Sequence, residues 1–483
     1  MNIRIKNLPE PSCACEALIL PLFEGKKDVP HSFQPGFRRF VSGLSDSIFS
    51  AKLGEVFFAV RPDAGKPRQV LFVGLGKKED LTIERLRQAG GKAMSQLRGL
   101  GITDAAVSAS LIGTTQFSPA AFLEGGLLSQ YTFPRYRSEK DTKGIRTLTI
   151  LAAPSPALKN DVRRTAEIAA AVSFAKDLVN TPANDMTPGH MAKAALSLKR
   201  PGLSVSVIER DKARRLGMGA FLAVASGSHK PPKFIVVEYK GAKKPPVVLI
   251  GKSVTFDSGG LSLKPSDGME KMKYDMAGGA AVLGAVKAAA SLRLPVHVIG
   301  LLPATENLPG GGATKPGDVV SSVLGKTIEI ANTDAEGRLT IADAIAYAKR
   351  FRPRAVVDIA TLTGACTITF GGEAIAMMGN DRKLLDQMKK AGEDAYERVW
   401  EMPLFEEYRD YLKSDIADIR NIGNRIGGLM TSAYFLYEFA EKTPWVHLDI
   451  AGTAWTEKDK PYMPKGASGV GVRLLLNFIK ELK

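Results

Sequence analysis

The sequence predicts an α/β protein with two domains: a smaller N-terminal α/β domain and a larger C-terminal domain whose central sheet is mainly parallel and covered by helices. The chain has 483 residues, enough for two or three ordinary domains. Hydrophobic residues make up 45% and charged residues 24%, a globular composition that excludes a disordered or fibrous chain. Apolar strand-like segments alternate with helical segments, the pattern of a parallel sheet covered on both faces.

The N-terminal part alternates short strands with helices. Strands are predicted at Val56–Val60, 70–73 and 148–152, and a helix rich in Ala, Leu and Arg is predicted over 81–100. Residues 158–179 carry Ala and Val at helical spacing, which predicts one long amphipathic helix. We therefore expect an N-terminal α/β domain over residues 1–157 and a connecting helix over 158–179.

The rest of the chain, residues 180–483, is predicted to form the second domain. Strands are predicted at 247–250, 296–302, Thr327–Ile330 and 355–359, and helices at 277–290 and 341–350. In sheets of this kind, ligands bind at the carboxyl ends of the strands. We therefore expect chemistry-bearing residues directly after these strands.

The net charge of +16 is uneven, because residues 1–200 hold 28 Lys and Arg against 18 Asp and Glu, whereas the rest holds 38 against 32. A basic excess predicts either affinity for nucleic acid or a solvated basic surface. Basic residues form no run of five or more, so we favour the solvated surface. Three cysteines exclude a disulfide framework, and no uncharged stretch is apolar enough to span a bilayer, so a reduced, cytoplasmic setting is expected.

The sequence contains two partial nucleotide-binding motifs, each of which lacks a required glycine. The Gly251-Lys252-Ser253 segment lacks the earlier glycine of a phosphate-binding loop, since position 246 is proline. Gly74 and Gly76 begin a dinucleotide fingerprint whose third glycine position is Glu79. The five histidines include no pair at the spacing of a zinc-protease helix, so any metal site must rest mainly on carboxylates.

Three segments concentrate charge where burial is expected: 251–264, 272–276 and 332–339. Asp334 and Glu336 are two residues apart, so an extended backbone would point both carboxylates to one face. With Asp257 and Asp275 they make four carboxylates near strand ends and helix starts, which repel one another unless cations neutralise them. Oxygen ligands suit Mg²⁺ or Mn²⁺, and a nitrogen ligand would make Zn²⁺ a further candidate. The alternative is helix capping with salt bridges to nearby lysines and Arg338, but the set as a whole favours metal.

These segments resemble the cytosolic leucyl aminopeptidase family, which are di-metal exopeptidases. The strings are Lys-Ser-Val-Thr-Phe-Asp-Ser-Gly-Gly (252–260), Met-Lys-Tyr-Asp-Met (272–276) and Asn-Thr-Asp-Ala-Glu-Gly-Arg-Leu (332–339). Weaker similarity at 306–309, 315–318, 358–365 and 447–453 extends the match over residues from about 180 to 475. One departure is Ser253, where the family more often has glycine. The resemblance identifies residues 180–483 as a di-metal peptidase domain.

The resemblance implies a role for each matching residue. The implied metal ligands are Lys252, Asp257, Asp275, Asp334 and Glu336, of which Asp257 and Glu336 would bridge two ions; the implied catalytic pair is Lys264 and Arg338, with bicarbonate near Arg338. Mn²⁺ is the expected metal, with Zn²⁺ or Mg²⁺ as alternatives. Two such ions can share a hydroxide that attacks the carbonyl of the N-terminal residue, and one ion would hold the substrate's free amine.

The resemblance also implies a substrate pocket, through further matching positions, and an oligomeric assembly. The pocket residues would be Met272, Asn332, Thr361, Leu362 and Gly364, with Leu362 acting through its backbone carbonyl. Family members form homohexamers and cleave leucine and other, mostly apolar, N-terminal residues. Two residues outside this set, His447 and Cys366, are predicted to be core residues, the histidine hydrogen-bonded.

Two other functions compete with a metal-dependent aminopeptidase. A DNA-binding regulator, acting through the basic N-terminal part, is the alternative, and it is compatible with peptidase activity. DNA binding would need the surplus Lys and Arg to form one continuous stripe. An inactive structural oligomer is disfavoured because every implied ligand and both catalytic positions are present.

Overall fold

The computed structural model describes residues 1–9, 12–25, 29, 31–61, 67–109, 112, 117–139, 143–424 and 426–482. The chain divides into two compact units, one made of Met1–Ala170 with Glu457–Lys465 and the other of Ala171–Thr456 with Gly466–Lys483. The division falls within a helix, Pro156–Asn180. The predicted domain boundaries at residues 157 and 179 lie near the two ends of this helix and stay a prediction.

The first unit is an α/β layer structure. Its elements are β1 (Asn2–Lys6), β2 (Ala17–Leu22), α1 (Pro35–Ser42), β3 (Val56–Val60), β4 (Gln69–Gly74), α2 (Ile83–Gly99), β5 (Asp104–Ser108), α3 (Ala120–Ser129), β6 (Thr147–Leu151) and the first part of α4 (Pro156–Asn180). Within the described residues they form one six-stranded sheet in the order β1-β6-β5-β2-β4-β3. Its strands pair in parallel, apart from β3 with β4.

Both faces of this sheet are covered, because neighbouring residues of a strand point to opposite sides. On β2, Ile19 packs in a cluster with residues of α2 and α3. Its neighbours Leu18 and Leu20 pack in a second cluster with Phe37 and Val41 of α1. The predicted alternation of strands and helices is confirmed for this unit.

A short return segment of the chain completes the first unit. Within Glu457–Lys465, the Tyr462 hydroxyl lies 3.0 and 2.9 Å from the two carboxylate oxygens of buried Glu84 on α2. The backbone of Pro461 comes so close to α2 that a Cβ at Gly91 would lie 2.4 Å from its carbonyl oxygen. The glycine is required for this approach.

The second unit holds the larger sheet. Its elements are α5 (Pro188–Leu196), β7 (Leu203–Ile208), α6 (Arg210–Arg215), α7 (Gly219–Val224), β8 (Lys233–Lys240), β9 (Val247–Gly251), β10 (Ser253–Asp257), α8 (Ala277–Ser291), β11 (His297–Asn307), β12 (Asp318–Ser321), β13 (Thr327–Ile330), α9 (Gly337–Ala348), β14 (Ala355–Ala360), α10 (Gly364–Phe370), β15 (Ile375–Gly379), α11 (Arg382–Ala395), β16 (Val399–Glu401), β17 (Ile419–Arg420), α12 (Gly428–Ala440), β18 (Trp445–Asp449), β19 (Trp455–Thr456), β20 (Gly466–Ala467) and α13 (Val472–Glu481).

The central sheet of the second unit is mixed but mostly parallel, as predicted. Its strand order is β16-β15-β18-β14-β9-β11-β8-β7, and β10 pairs with β11. The inner strands β18, β14, β9 and β11 run in parallel, whereas β8 and β7 add antiparallel pairs at one side. Parallel strands buried on both faces explain the continuous apolar runs in the sequence.

Helices α8 and α9 lie on opposite faces of this sheet. Ile299 and Leu301 of β11 pack in one cluster with apolar residues of α9, such as Ile341 and Ile345. Between them, a Cβ at Gly300 would meet Val282 of α8 at 2.9 Å. The predicted sheet with helices on both faces is therefore confirmed.

Two elements extend beyond their predicted bounds. Strand β11 continues to Asn307, five residues past the predicted end, because its last residues pair with β10 and β8. Helix α9 begins at Gly337 and not at residue 341. Among the described residues, no helix combines the length and apolar character that crossing a bilayer requires.

Candidate metal centre

The parallel strands bring polar residues to one edge of the sheet, since their carboxyl ends coincide. Lys252 directly follows β9, and Thr361 directly follows β14. Asp449 is the last residue of β18 and pairs with Ala360. Strand β10 ends at Asp257, which pairs with Asn307 at the end of β11. The sheet thus places a lysine, two aspartates and further hydrogen-bonding side chains at one edge.

The remaining acidic residues come from helix starts. Asp275 follows the 3-10 turn Met269–Tyr274 and precedes α8. Asp334 and Glu336 lie between β13 and α9. The prediction of extended backbone here is wrong: residues 333–334 form a turn and Glu336 has helical dihedral angles. The chain must reverse from a strand into a helix, and the Asn332 side chain accepts a hydrogen bond from the Asp334 amide at 2.8 Å, which stabilises the turn.

Three of the carboxylates converge. Asp257, Asp334 and Glu336 each offer an oxygen, and these oxygens lie within 4.8 Å of one another. Asp257 and Glu336 are buried, whereas Asp334 is partly exposed. Carboxylate oxygens this close to one another can share a cation.

Two lysines connect the carboxylates. The Lys252 ammonium lies 2.8 Å from Asp275 Oδ1 and 2.8 Å from Glu336 Oε1, and the residue is only 3% exposed. The Lys264 ammonium lies 2.8 Å from Asp257 Oδ2 and forms an ion pair with Asp334, and its side chain is 21% exposed. Lys252 therefore lies inside the cluster and Lys264 at its solvent side.

The protonation of these groups follows from burial and from one another's charge. Burial raises the pKa of the Asp275, Asp334 and Glu336 carboxyls above their usual range. Burial lowers the pKa of Lys252, but the neighbouring carboxylates, Asp275 first, outweigh it and hold the lysine charged. A lysine binds metal only as a neutral amine, so ligation by Lys252 would release its proton.

The residues fit a pair of divalent cations. Four carboxyl groups face three cationic side chains, counting Arg338, so with every carboxyl ionised the cluster carries an excess of negative charge that a bound cation would offset. Within the described part of the chain, Asp275 Oδ2 is buried with no hydrogen-bond partner. Carboxylate oxygens suit Mn²⁺ and Mg²⁺, and the Lys252 nitrogen widens the choice to Zn²⁺.

Arg338 presents a buried guanidinium beside this cluster. Its Nη1 donates to the Asn421 carbonyl at 2.8 Å, whereas its Nε has no hydrogen-bond partner among the residues described. Burial lowers the pKa of Arg338 to about 10, and the charge of Glu336 opposes this effect. A planar guanidinium with an unused buried donor fits a small planar anion such as bicarbonate.

Glycines permit the close approach of these segments. Gly259 and Gly260 have φ angles of +89° and +66°, which favour glycine, and a Cβ at Gly260 would lie 2.8 Å from Asn307 Oδ1. A Cβ at Gly337 would lie 2.6 Å from Cε of Lys252. A side chain at Gly337 would therefore displace the lysine.

Ser253, the departure from the family pattern, is accommodated without disturbing the cluster. Its hydroxyl is buried and donates to the Gly251 carbonyl at 2.8 Å. It lies against α8, where a Cβ at Gly279 would be 2.1 Å from Ser253 Oγ. Lys252 keeps both of its carboxylate partners.

The predicted substrate residues surround the cluster to different degrees. Thr361 is buried and contacts it directly, since its hydroxyl donates to Asp275 Oδ1 at 2.7 Å and its carbonyl accepts from Lys252 at 3.0 Å. Asn332 is joined through the Asp334 amide. Leu362 packs against the apolar core, Met272 is half-buried in the 3-10 turn, and Gly364 is exposed at the start of α10.

Two asparagines of the centre were not predicted. Asn307 donates to Asp257 Oδ1 at 2.8 Å and to the Thr333 carbonyl at 2.9 Å. Its position at a strand end is the signal that could have identified it. Asn421 donates to the Asn332 carbonyl at 2.7 Å from a distant segment, and no local pattern marks it.

His447 and Cys366 are core residues, as predicted. The His447 ring is fully buried, with Nδ1 2.5 Å from Asp358 Oδ1. Cys366 is also fully buried. Neither side chain contacts the four carboxylates in any contact that the structure describes.

Two domains of one known protein family match most of the chain. The cytosol aminopeptidase family, catalytic domain, matches residues 173–476, and the N-terminal domain of the same family matches residues 38–140. A probable cytosol aminopeptidase of Geobacter sulfurreducens is 51% identical over 420 residues, which cover 85% of each chain. That of Solibacter usitatus is 43% identical over 488 residues and covers 100% of each chain.

Solved structures of similar fold include the bottromycin maturation enzyme BotP. Its complex with Mn superposes on this chain with a TM-score of 0.87 at 34% sequence identity, covering 97% of this chain and 100% of BotP. A second BotP structure gives a TM-score of 0.86 at the same identity. The similarity therefore extends over both units.

Proposed function

Because the chain belongs to the cytosol aminopeptidase family of metal-dependent exopeptidases, we propose that it removes N-terminal residues, leucine and other mostly apolar ones, from peptides. The observation that carries this proposal is the convergence of Asp257, Asp334 and Glu336, with oxygens within 4.8 Å, beside Lys252 and Asp275. This donor set suits two divalent ions, of which Mn²⁺ is our first choice, with Zn²⁺ or Mg²⁺ as alternatives.

Each ligand has a proposed place. Asp257 and Glu336 would contact both ions, Lys252 and Asp275 would complete one site, and Asp334 would complete the other. When bound, the ions would supply an activated water and polarise the scissile carbonyl. Four of these five residues are buried in the chain, which limits the contact of the ligands with bulk water.

Two cationic residues would act on the substrate. Lys264 stays charged: burial lowers its pKa, but Asp257, Glu336 and Asp334 outweigh this and raise it. Its ammonium lies at the solvent side, where it can donate to the carbonyl oxygen as negative charge develops. Arg338 would hold a bicarbonate that carries the proton to the leaving amine. Leu362 would orient the substrate through its carbonyl.

We further propose a cytoplasmic homohexamer. An exposed aromatic row supports self-association: the rings of Phe405, Tyr408 and Tyr411 pack in sequence, with centroids 6.1 and 6.3 Å apart, and Phe405 is 61% exposed. The other expected partners are peptides with a free N-terminus. DNA binding by the basic N-terminal part stays a prediction.

Metal removal tests the proposed activity. A panel of aminoacyl amides is assayed on the full chain before metal removal, after dialysis against a chelator and after addition of Mn²⁺, Zn²⁺ or Mg²⁺. We expect leucinamide hydrolysis to fall by at least about 10³-fold and to return with Mn²⁺, since the ions supply the nucleophile. Unchanged hydrolysis by protein with no detectable metal would contradict the proposal.

Substitution of Lys252 and substitution of Lys264 are expected to have different effects. Lys252→Met should weaken Mn²⁺ binding by at least about 10–100-fold, because the loss of a ligand should cost no less than the loss of a residue that orients one. Lys264→Met should leave Mn²⁺ binding near normal and lower kcat by about 10²-fold, because its contact strengthens in the transition state. Calorimetric Mn²⁺ titration and steady-state kinetics separate the two effects. Equal loss of metal in both variants would show that the roles are assigned wrongly.

A further inference from the structure

Residues 361–363 link the metal centre to a neighbouring strand. The Thr361 hydroxyl donates to Asp275 Oδ1 at 2.7 Å, and the Thr361 carbonyl accepts from Lys252 Nζ at 3.0 Å. Both proposed ligands of one ion are therefore hydrogen-bonded to the same residue. Their placement depends on how the backbone of this segment is held.

Asp449 holds that segment. Its Oδ1 accepts from the Leu362 amide at 3.1 Å and from the Ala451 amide at 3.1 Å, and its Oδ2 accepts from the Thr363 hydroxyl at 2.7 Å. The Thr363 hydroxyl in turn accepts from the Cys366 amide at 3.0 Å, which caps α10. One fully buried carboxylate thus connects the end of β18, the 361–363 segment and the start of α10.

The geometry excludes Asp449 from the ligand set. Both of its oxygens are directed at protein donors, and none of its hydrogen bonds goes to Asp275, Lys252 or Glu336. It is joined to Asp275 and Lys252 through one intervening segment, as residues that orient metal ligands commonly are. Leu362, whose carbonyl is proposed to orient the substrate, lies in the same segment.

We propose that Asp449 is a positioning residue. Through the backbone of residues 361–363, it fixes the positions of the Lys252 and Asp275 side chains and of the Leu362 carbonyl. The proposal rests on the proposed function, since it takes these residues as metal ligands and substrate contacts. Removal of the carboxylate would leave two partly buried amides, those of Leu362 and Ala451, without their acceptor, and the segment would shift to satisfy them.

Asp358 provides a matched control. It is also fully buried, lies on β14 close to the same segment and accepts two side-chain hydrogen bonds, from Trp445 Nε1 at 2.7 Å and from the His447 ring at 2.5 Å. These partners belong to the core and not to residues 361–363. Asp358→Asn therefore perturbs a buried carboxylate whose described side-chain hydrogen bonds do not go to residues 361–363.

The experiment measures Mn²⁺ affinity directly, by calorimetric titration of full-length protein after metal removal, with circular dichroism to establish folding. Asp449→Ala is expected to weaken Mn²⁺ binding by about 10–100-fold and to lower kcat, whereas Asp358→Asn should bind Mn²⁺ like wild type. Unchanged Mn²⁺ affinity in folded Asp449→Ala, or equal weakening in both variants, would overturn the proposal.

A second pair of variants keeps the test decisive if Asp449→Ala does not fold. Thr363→Val removes the hydroxyl that joins Asp449 to the segment and should weaken Mn²⁺ binding several-fold, whereas Thr363→Ser should retain wild-type affinity. Equal affinities in a folded pair would overturn the proposal.

The proposed function is tested by a different result. A wild-type chain that binds Mn²⁺ but cleaves no aminoacyl amide would overturn the proposed peptidase activity, while the comparison of Mn²⁺ affinities still decides the role of Asp449.

Discussion

Glu336→Ala is expected to abolish turnover, with a loss of at least about 10³-fold in kcat/KM for leucinamide, and to reduce the amount of bound Mn²⁺. The reason is its central position. Glu336 shares the carboxylate cluster with Asp257 and Asp334, and it is also 2.8 Å from Lys252. It therefore belongs to both halves of the proposed site, and its loss removes a ligand from each ion. Metal content by mass spectrometry and hydrolysis rates are measured on the same preparation.

Glu397→Gln is the control for this experiment. Glu397 is a buried carboxylate of the same unit, but it pairs with Arg473 and accepts from the Gly471 amide. Its change should lower thermal stability and leave metal content and turnover intact. Full turnover by Glu336→Ala in the absence of metal would refute the di-metal interpretation.

Blocking the substrate amine is expected to have an equally large effect. Leucinamide and leucyl peptides should be hydrolysed, whereas N-acetyl-leucinamide should show no measurable cleavage. A neutral α-amine has a lone pair that can bind one ion, but an acetylated nitrogen is a poor ligand and adds bulk. N-methyl-leucinamide separates the two causes, because it keeps a basic nitrogen and adds only a methyl group, and we expect it to retain part of the rate.

Leucinamide, its N-acetyl form and its N-methyl form are compared at one pH by chromatography of the released leucine or its derivative. A single pH matters because the amine and Lys252 both lose metal affinity when protonated. Efficient cleavage of the acetylated substrate, or of internal bonds in an unfolded protein, would show that the enzyme is not an aminopeptidase.

The charged residues at the strand ends of the centre could be anticipated because their signals are local. Lys252 and Asp257 directly follow or end apolar strands, and the rule for parallel sheets places such residues together. The glycines at 259 and 260 are visible in the same segment. Such local patterns can be recognised in the sequence, because residues that are neighbours along the chain form them.

Other parts of the centre depend on contacts between distant segments. Asn421 reaches the Asn332 carbonyl across almost 90 residues, and Asp449 reaches the Leu362 amide across a similar separation. No periodicity or spacing in the sequence encodes such pairs. The spacing of Asp334 and Glu336 predicts extended backbone wrongly, because two carboxylates two residues apart fit both a strand and this turn.

The return of residues 457–465 to the first unit has a consequence for biosynthesis. When Met1–Ala170 has been synthesised, about 290 residues must still be added before the segment that carries Tyr462 is complete. At about 5–20 residues per second, it follows after about 15–60 s. During that interval the Glu84 carboxylate of the nascent chain lacks the phenol that it binds in the finished protein. The unit that is synthesised first is therefore completed among the last.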